Sequence, residues 1–101
     1  MAEINWSREA RRDLKAIAEF FETSSPQYSK HIVRRIFETV SNLREHPKIG
    51  RPIPEFEATI FRERIVEDFR ILYLLQNDET VEILTIVHSR QDVTRHLKRL
   101  S

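Results

Sequence analysis

The sequence predicts an α+β fold in the order β-α-α-β-β-β, with an antiparallel helical hairpin packed on a mainly antiparallel sheet and a short C-terminal helix. Apolar residues recur at helical spacing in two runs between residues 7 and 46, broken by Thr23-Ser24-Ser25-Pro26. Between residues 59 and 87, three runs rich in β-branched and aromatic residues are separated by short polar turns. With 101 residues, neither half is long enough to bury a core of its own. The two halves are therefore expected to pack together as one domain spanning residues 1–101.

Residues 2–6 (AEINW) are a strand candidate anchored by Ile4, and Ser7 is placed to cap a helix starting directly after it. In SREARRDLKAIAEFFE, Ala10, Leu14, Ile17 and Phe21 form one stripe, with Ala18 beside them and most charges outside it. This is an amphipathic helix. Ser25 caps a second helix with Pro26 at its first position, where a missing N–H costs nothing. Ile32, Ile36, Val40 and Leu43 carry its apolar stripe to about His46, and Pro47 ends it. A break this short makes the pair an antiparallel hairpin. HPKIGRPIPEFE, with the only glycine and three of the four prolines, reads as a loop. The strand candidates are 59–66, 69–76 and 80–87, and QNDE joins the last two as a hairpin turn. In the tail, Val93, Leu97 and Leu100 have helical spacing, and Ser89 with Asp92 has the spacing of a capping box.

Composition narrows the function. The chain is 40% apolar and 33% charged, which suits a globular protein. It has no cysteine, so disulfides, thiolate metal sites and thiol catalysis are excluded. His31, His46, His88 and His96 lack metal-ligand spacing, and no glycine-rich phosphate loop exists, so no metal and no cofactor is expected. No apolar run is long enough to span a membrane and no signal peptide is legible, so a cytoplasmic location is expected. The net charge of +1 argues against extensive phosphate contact.

The strands do not alternate apolar and polar residues as a half-solvated sheet should. Strict alternation puts Ile71, Tyr73 and Leu75 on one face and Leu72 and Leu74 on the other. It likewise puts Val81, Ile83 and Val87 on one face and Leu84 and Ile86 on the other. A helical hairpin covers only one face. A partner polypeptide is therefore expected against Leu72, Leu74, Leu84 and Ile86, with Val93, Leu97 and Leu100 of the tail beside them. The alternative is that the tail and loop seal that face themselves.

Polar groups gather where the strands end. Arg70 shares a face with Leu72 and Leu74, so its donors need matching, by an acid such as Glu67, Asp68 or Asp92 or by backbone carbonyls. Arg62 and Arg64 suit a charged edge strand. His88, Arg90 and His96, with Arg62, Arg64 and Arg70, would suit cleavage of RNA by its own 2′-hydroxyl, a histidine moving protons and arginines steadying the phosphate. Geometry limits this set. A two-residue turn at Asn77-Asp78 puts Arg70 and His88 on opposite faces of the sheet, whereas a three-residue turn puts them on one.

AEINWSREARRDLKAIAEFF, then LxxHPKIGR, then FRERIVEDFRILY and VEILTIVHSRQD, resembles the RelE/ParE superfamily of toxins from type II toxin–antitoxin modules. The resemblance covers nearly the whole chain. It implies the same α+β fold and an antitoxin whose extended or helical arm wraps the toxin in a hetero-oligomer. RelE-like members cleave messenger RNA on the ribosome, whereas ParE-like members poison DNA gyrase without being nucleases. The long hairpin, the near-neutral charge and the ending His88-Ser89-Arg90-Gln91-Asp92 resemble the ParE branch. The resemblance thus implies a gyrase inhibitor, with no catalytic residue, rather than an enzyme. Under the RelE alternative, Arg70 and Arg90 match phosphate-contacting arginines and His96 matches a C-terminal tyrosine or histidine. The lysines of the preceding strand are absent there, and Arg62 or Arg64 in their place would stay protonated near neutral pH.

Overall fold

The computed structural model describes residues 1–56 and 60–94. It has the predicted α+β architecture: β1 (Glu3–Trp6), α1 (Arg8–Glu22), α2 (Pro26–Asn42), β2 (Arg51–Pro52), β3 (Phe61–Val66), β4 (Phe69–Asn77) and β5 (Thr80–His88). The strands form one sheet in the order β1-β5-β4-β3-β2. β1 runs parallel to β5, and the other neighbours are antiparallel.

The caps read from the sequence set both helix starts. Ser7 Oγ accepts the Ala10 N–H at 2.9 Å, and Ser25 Oγ accepts the Tyr28 N–H at 3.1 Å. The hairpin is pinned by Ser29 Oγ, which donates to the Ala18 carbonyl at 2.7 Å. α2 stops at Asn42, short of the expected His46. The Leu43 and Arg44 N–H groups turn back to Val40 and Ser41 in a tightened last turn, and the Arg44 carbonyl accepts the Ala2 N–H. The HPKIGRPIPEFE stretch is not wholly loop either, because Arg51 and Pro52 pair with Glu63 and Arg62. Proline suits this place, since an edge strand can spare its N–H.

Helices cover one face of the sheet. Ile32, Ile36, Val40 and Leu43 of α2 pack with Ile71, Tyr73, Val81, Ile83 and Ile86. The second face has its own cluster of Phe61, Leu72, Leu84 and Val87, covered by Ile53, Phe56 and Val93.

That second cluster corrects the expected surplus. Leu72 is 0% and Leu84 4% exposed, and Val93 is buried with them. The loop before β3 and the start of the tail seal most of this face, because Ile53 and Phe56 turn onto the sheet. Ile86 is on the helical face instead, for a different reason. The pairing of β4 with β5 shifts by one residue between Leu72 and Tyr73, so Ile83 and Ile86 fall on the same side. Such a bulge breaks the alternation on which the expectation rested. The bulge is held from α1 and its cap. Ser7 donates its N–H to the Ile83 carbonyl at 3.0 Å and its hydroxyl to the Leu84 carbonyl at 2.8 Å. Asp13 accepts the Thr85 hydroxyl at 2.6 Å and the Ile86 N–H at 2.9 Å. Of the residues expected at a partner surface, only Leu74 is half-exposed among those described. Leu97 and Leu100 lie outside the described residues, as does the body of the expected tail helix. Just before it, Asp92 rather than Ser89 accepts the Thr94 N–H.

Candidate functional site

The hairpin loop between β4 and β5 is Asp78-Glu79, with Asn77 paired to Thr80. The turn is one residue beyond the expected Asn77-Asp78, and the pairing shifts twice between it and Arg70, so the register along the strands and not the turn length alone decides the question left open by the sequence. Arg70 stands opposite Val87, and His88 stands opposite Phe69. Cross-strand partners share a face, so Arg70 and His88 point to opposite sides of the sheet.

Arg70 is at the centre of a buried ionic network on the second face. Its Nε donates to Glu63 Oε1 at 2.8 Å. Its Nη1 donates to Glu55 Oε2 at 2.8 Å and to the Gln91 carbonyl at 3.0 Å. Its Nη2 donates to Glu55 Oε1 at 2.7 Å and is ion-paired with Glu63. Four hydrogen bonds and the ion pair with Glu63 thus engage all three nitrogens of the guanidinium inside the chain. Arg51 Nε closes the network on Glu63 Oε2 at 2.6 Å. The Glu63 side chain is 0% exposed and the Arg70 side chain 6%. Two arginines therefore balance two glutamates, as a low-dielectric site requires.

The acids expected for Arg70 were Glu67, Asp68 or Asp92, and its partners are Glu55 and Glu63. Glu63 was legible in principle. It faces the same side as Phe61, opposite Leu72, which makes it the diagonal cross-strand neighbour of Arg70. Glu55 reaches the site only because the loop folds over the sheet. Its bidentate hydrogen bonding with Arg70 outweighs partial burial and lowers its carboxyl below the usual range. The same bonds, first from Glu55 and then from Glu63, hold the Arg70 guanidinium above its ordinary value.

Because the folded Glu55 carboxyl is lowered, its contribution to stability is complete above its ordinary value of 4.5 and is lost as pH falls through the lowered folded value. Urea midpoints are expected to be level above pH 4.5 and to fall as the pH drops below it, with a shallower fall in Glu55→Gln. An unchanged slope in Glu55→Gln would assign the acid sensitivity to another group.

The other candidates of the nuclease set are dispersed. Arg62 Nη1 donates to the carbonyls of Gly50 at 2.8 Å and Lys48 at 3.1 Å, a structural tie for the loop. Arg64 has no side-chain hydrogen bond among the described residues, and its Nε is buried without an acceptor. His88 packs its ring edge-on to Phe69 and lines a cleft of about 410 Å³ with Ile17, Phe20 and Phe21 of α1. Its Nδ1 faces the Arg90 N–H at 3.3 Å, so it serves the turn out of the strand. Arg90 is exposed, and His96 lies outside the described residues. Arg70, walled in on one face, and His88, on the other, do not converge on a common point. Among the described residues no cluster of His, Asp and Glu is placed to hold a metal ion, and no helix is long and apolar enough to cross a membrane.

Comparison with known proteins gives a consistent picture. The profile of the family described as the ParE toxin of type II toxin–antitoxin system, parDE, matches residues 4–93. The Y4kP protein of Sinorhizobium fredii, which carries a provisional toxin designation, is 33% identical over 88 residues, or 87% of this chain and 88% of that protein. A chain of the chromosomal ParDE toxin–antitoxin system of P. aeruginosa superposes with a TM-score of 0.72 at 25% identity, over 87% of this chain and 96% of that one. A chain of the RelBE2 toxin–antitoxin complex of Mycobacterium tuberculosis shares the fold, with a TM-score of 0.58 at 24% identity over 86% and 96% of the two chains. With a family profile spanning most of its length and a fold built on the same plan, the chain belongs to the ParE toxin family of type II toxin–antitoxin systems.

Proposed function

We propose that this toxin acts by binding a target protein, DNA gyrase, rather than by cutting RNA, and that a cognate antitoxin neutralises it in the cytoplasm. The observation that carries the choice of target is the state of Arg70. A nuclease of the alternative type needs that guanidinium free to meet a scissile phosphate, within reach of a proton-moving histidine. Here each of its three nitrogens is already engaged by Glu55, Glu63 or the Gln91 carbonyl, and His88 is across the sheet. Exchanging these carboxylates for a phosphate would leave the buried Glu63 without its nearest cation.

The antitoxin reading draws on the toxin–antitoxin assemblies to which the structural neighbours belong. It does not need the apolar face that the chain seals for itself.

Induction of the toxin alone is expected to give DNA breaks and an SOS response, and the purified protein is expected to inhibit supercoiling by gyrase. Co-expression with the product of the neighbouring reading frame is expected to abolish both. Codon-phased messenger RNA cuts with gyrase unaffected would overturn the choice of target.

A further inference from the structure

A cleft of about 730 Å³ between the end of α2 and β3 is lined by Arg35, Arg44 and Arg64, with Ser41 and Asn42 beside them. The fold leaves these arginines largely unused. Arg44 and Arg64 have no carboxylate partner among the described residues. Arg35 has only long contacts, 3.6 Å to Glu38 and 4.0 Å to Glu67. Glu38 is shared with Arg34, which leaves Glu45 as the one rim carboxylate without an arginine among the described residues. The carbonyl end of α2 opposes this positive excess in part, but its Val40, Ser41 and Arg44 carbonyls already accept N–H groups.

Arg64 is the more telling of the three. Its Nε is buried without an acceptor, and none of its nitrogens is hydrogen-bonded among the described residues. Native structures rarely leave a buried donor in that state. Arg62, whose Nε is also buried without an acceptor, at least ties its Nη1 to the Gly50 and Lys48 carbonyls. Arg70 in the next strand has all three nitrogens engaged. The half-buried Arg64 thus presents a restrained fork of donors with nothing of its own chain to hold, which is the state a guanidinium needs to meet an outside anion.

We infer that this cleft holds the phosphodiester backbone of DNA. Arginine, serine and asparagine side chains are the donors that phosphate oxygens take, and all three types line the cleft. Arg44 and Arg64 match one or two phosphates, which agrees with a net charge of +1 that argues against any longer track. The toxin therefore reads no sequence and gains only a foothold on a duplex that its target already holds. The choice of DNA rests on the gyrase reading, since gyrase brings a duplex to whatever docks on it. The cleft is separate from the Arg70 network, to which it contributes no residue.

The test uses the full chain at low salt and follows the Arg64 Nε–H signal by NMR as a short DNA duplex, inorganic phosphate or poly-glutamate is added. The duplex is expected to shift this signal and to bind with a slope of log K against log salt of about −2, roughly one for each of Arg44 and Arg64. Arg44→Gln and Arg64→Gln are each expected to weaken duplex binding about tenfold and to reduce the slope by about one. Arg44 is exposed, so Arg44→Gln keeps the test valid should Arg64→Gln fail to fold. Phosphate or poly-glutamate moving the signal while the duplex does not overturns DNA as the ligand. No response to any probe, or duplex binding unchanged in Arg44→Gln, overturns the site. A wild type that binds the duplex here yet leaves supercoiling by gyrase untouched overturns the gyrase reading and not the site.

Discussion

Arg70→Ala is expected to destabilise the fold by about 3–5 kcal/mol, the usual range for removing one partner of a buried ion pair. Glu63 would keep Arg51 but lose the cation that holds its other oxygen, in a site sealed from solvent. Glu55 and the Gln91 carbonyl would lose their anchor as well. The loop at Glu55 and the start of the tail at Gln91 would then lose this polar tie to the sheet, leaving the ties nearer Gly50 to hold the strap. For a domain of this size the loss corresponds to a fall in Tm of roughly 12 °C or more, a large share of a typical domain's total stability. Denaturant unfolding of the purified variant measures it. The double variant Arg70→Met/Glu63→Leu is expected to recover much of the loss, because it leaves neither of the two charges buried and unpaired. Arg70→Ala that unfolds like the wild type would overturn the structural role and reopen a role toward an outside ligand. Loss of toxicity in Arg70→Ala therefore carries no information about catalysis unless the fold of the variant is measured alongside.

Gly50→Ala is expected to cost about 1–3 kcal/mol, by overpacking rather than by backbone strain. Gly50 does not have a positive φ, so conformational freedom is not the reason for glycine here. Space is. A Cβ at this position would come 2.5 Å from Tyr73 Oη, 2.7 Å from Tyr73 Cε1 and 2.7 Å from the Glu63 carbonyl oxygen. The tyrosine cannot step aside cheaply, because its hydroxyl donates to the Pro47 carbonyl at 2.8 Å and accepts the Gly50 N–H at 2.9 Å. Burial pushes this phenol above its ordinary pKa and keeps it a neutral donor. Tyr73→Phe in the Gly50→Ala background is expected to restore part of the loss, since the contact with the hydroxyl is removed and those with the ring Cε1 and the Glu63 carbonyl stay. Thermal unfolding of the two single variants and the double variant measures the coupling, expected between about 0.5 and 3 kcal/mol. Strict additivity would show that the Cβ does not meet the tyrosine hydroxyl.

Both variants act on the same feature, the strap from Pro47 to Phe56 that lies over the edge and second face of the sheet. Tyr73 holds its first part, Arg62 holds Lys48 and Gly50, β2 pairs with β3, and Arg70 holds Glu55. This strap makes the chain self-sufficient where the strand composition suggested a missing partner.

What the sequence determined by itself is local. The caps at Ser7 and Ser25, the two apolar stripes, the three long strands and their order are dictated by periodicity and turn chemistry, which depend on neighbours a few residues away. The order of these elements, with the motifs along them, also sufficed for the family. Tertiary structure decided the rest, because each remaining feature depends on residues far apart in the chain. The bulge in β5 needs Ser7 and Asp13 of the first helix to hold it, and it alone moved Ile86 to the helical face. The hairpin register separated Arg70 from His88. The folding of Glu55 over the sheet turned an arginine that composition left ambiguous into a structural ion, since a buried guanidinium takes whatever acceptors the fold brings within reach. The same physics left Arg44 and Arg64 without carboxylate partners, among the described residues, in the cleft beside the outer edge of β3.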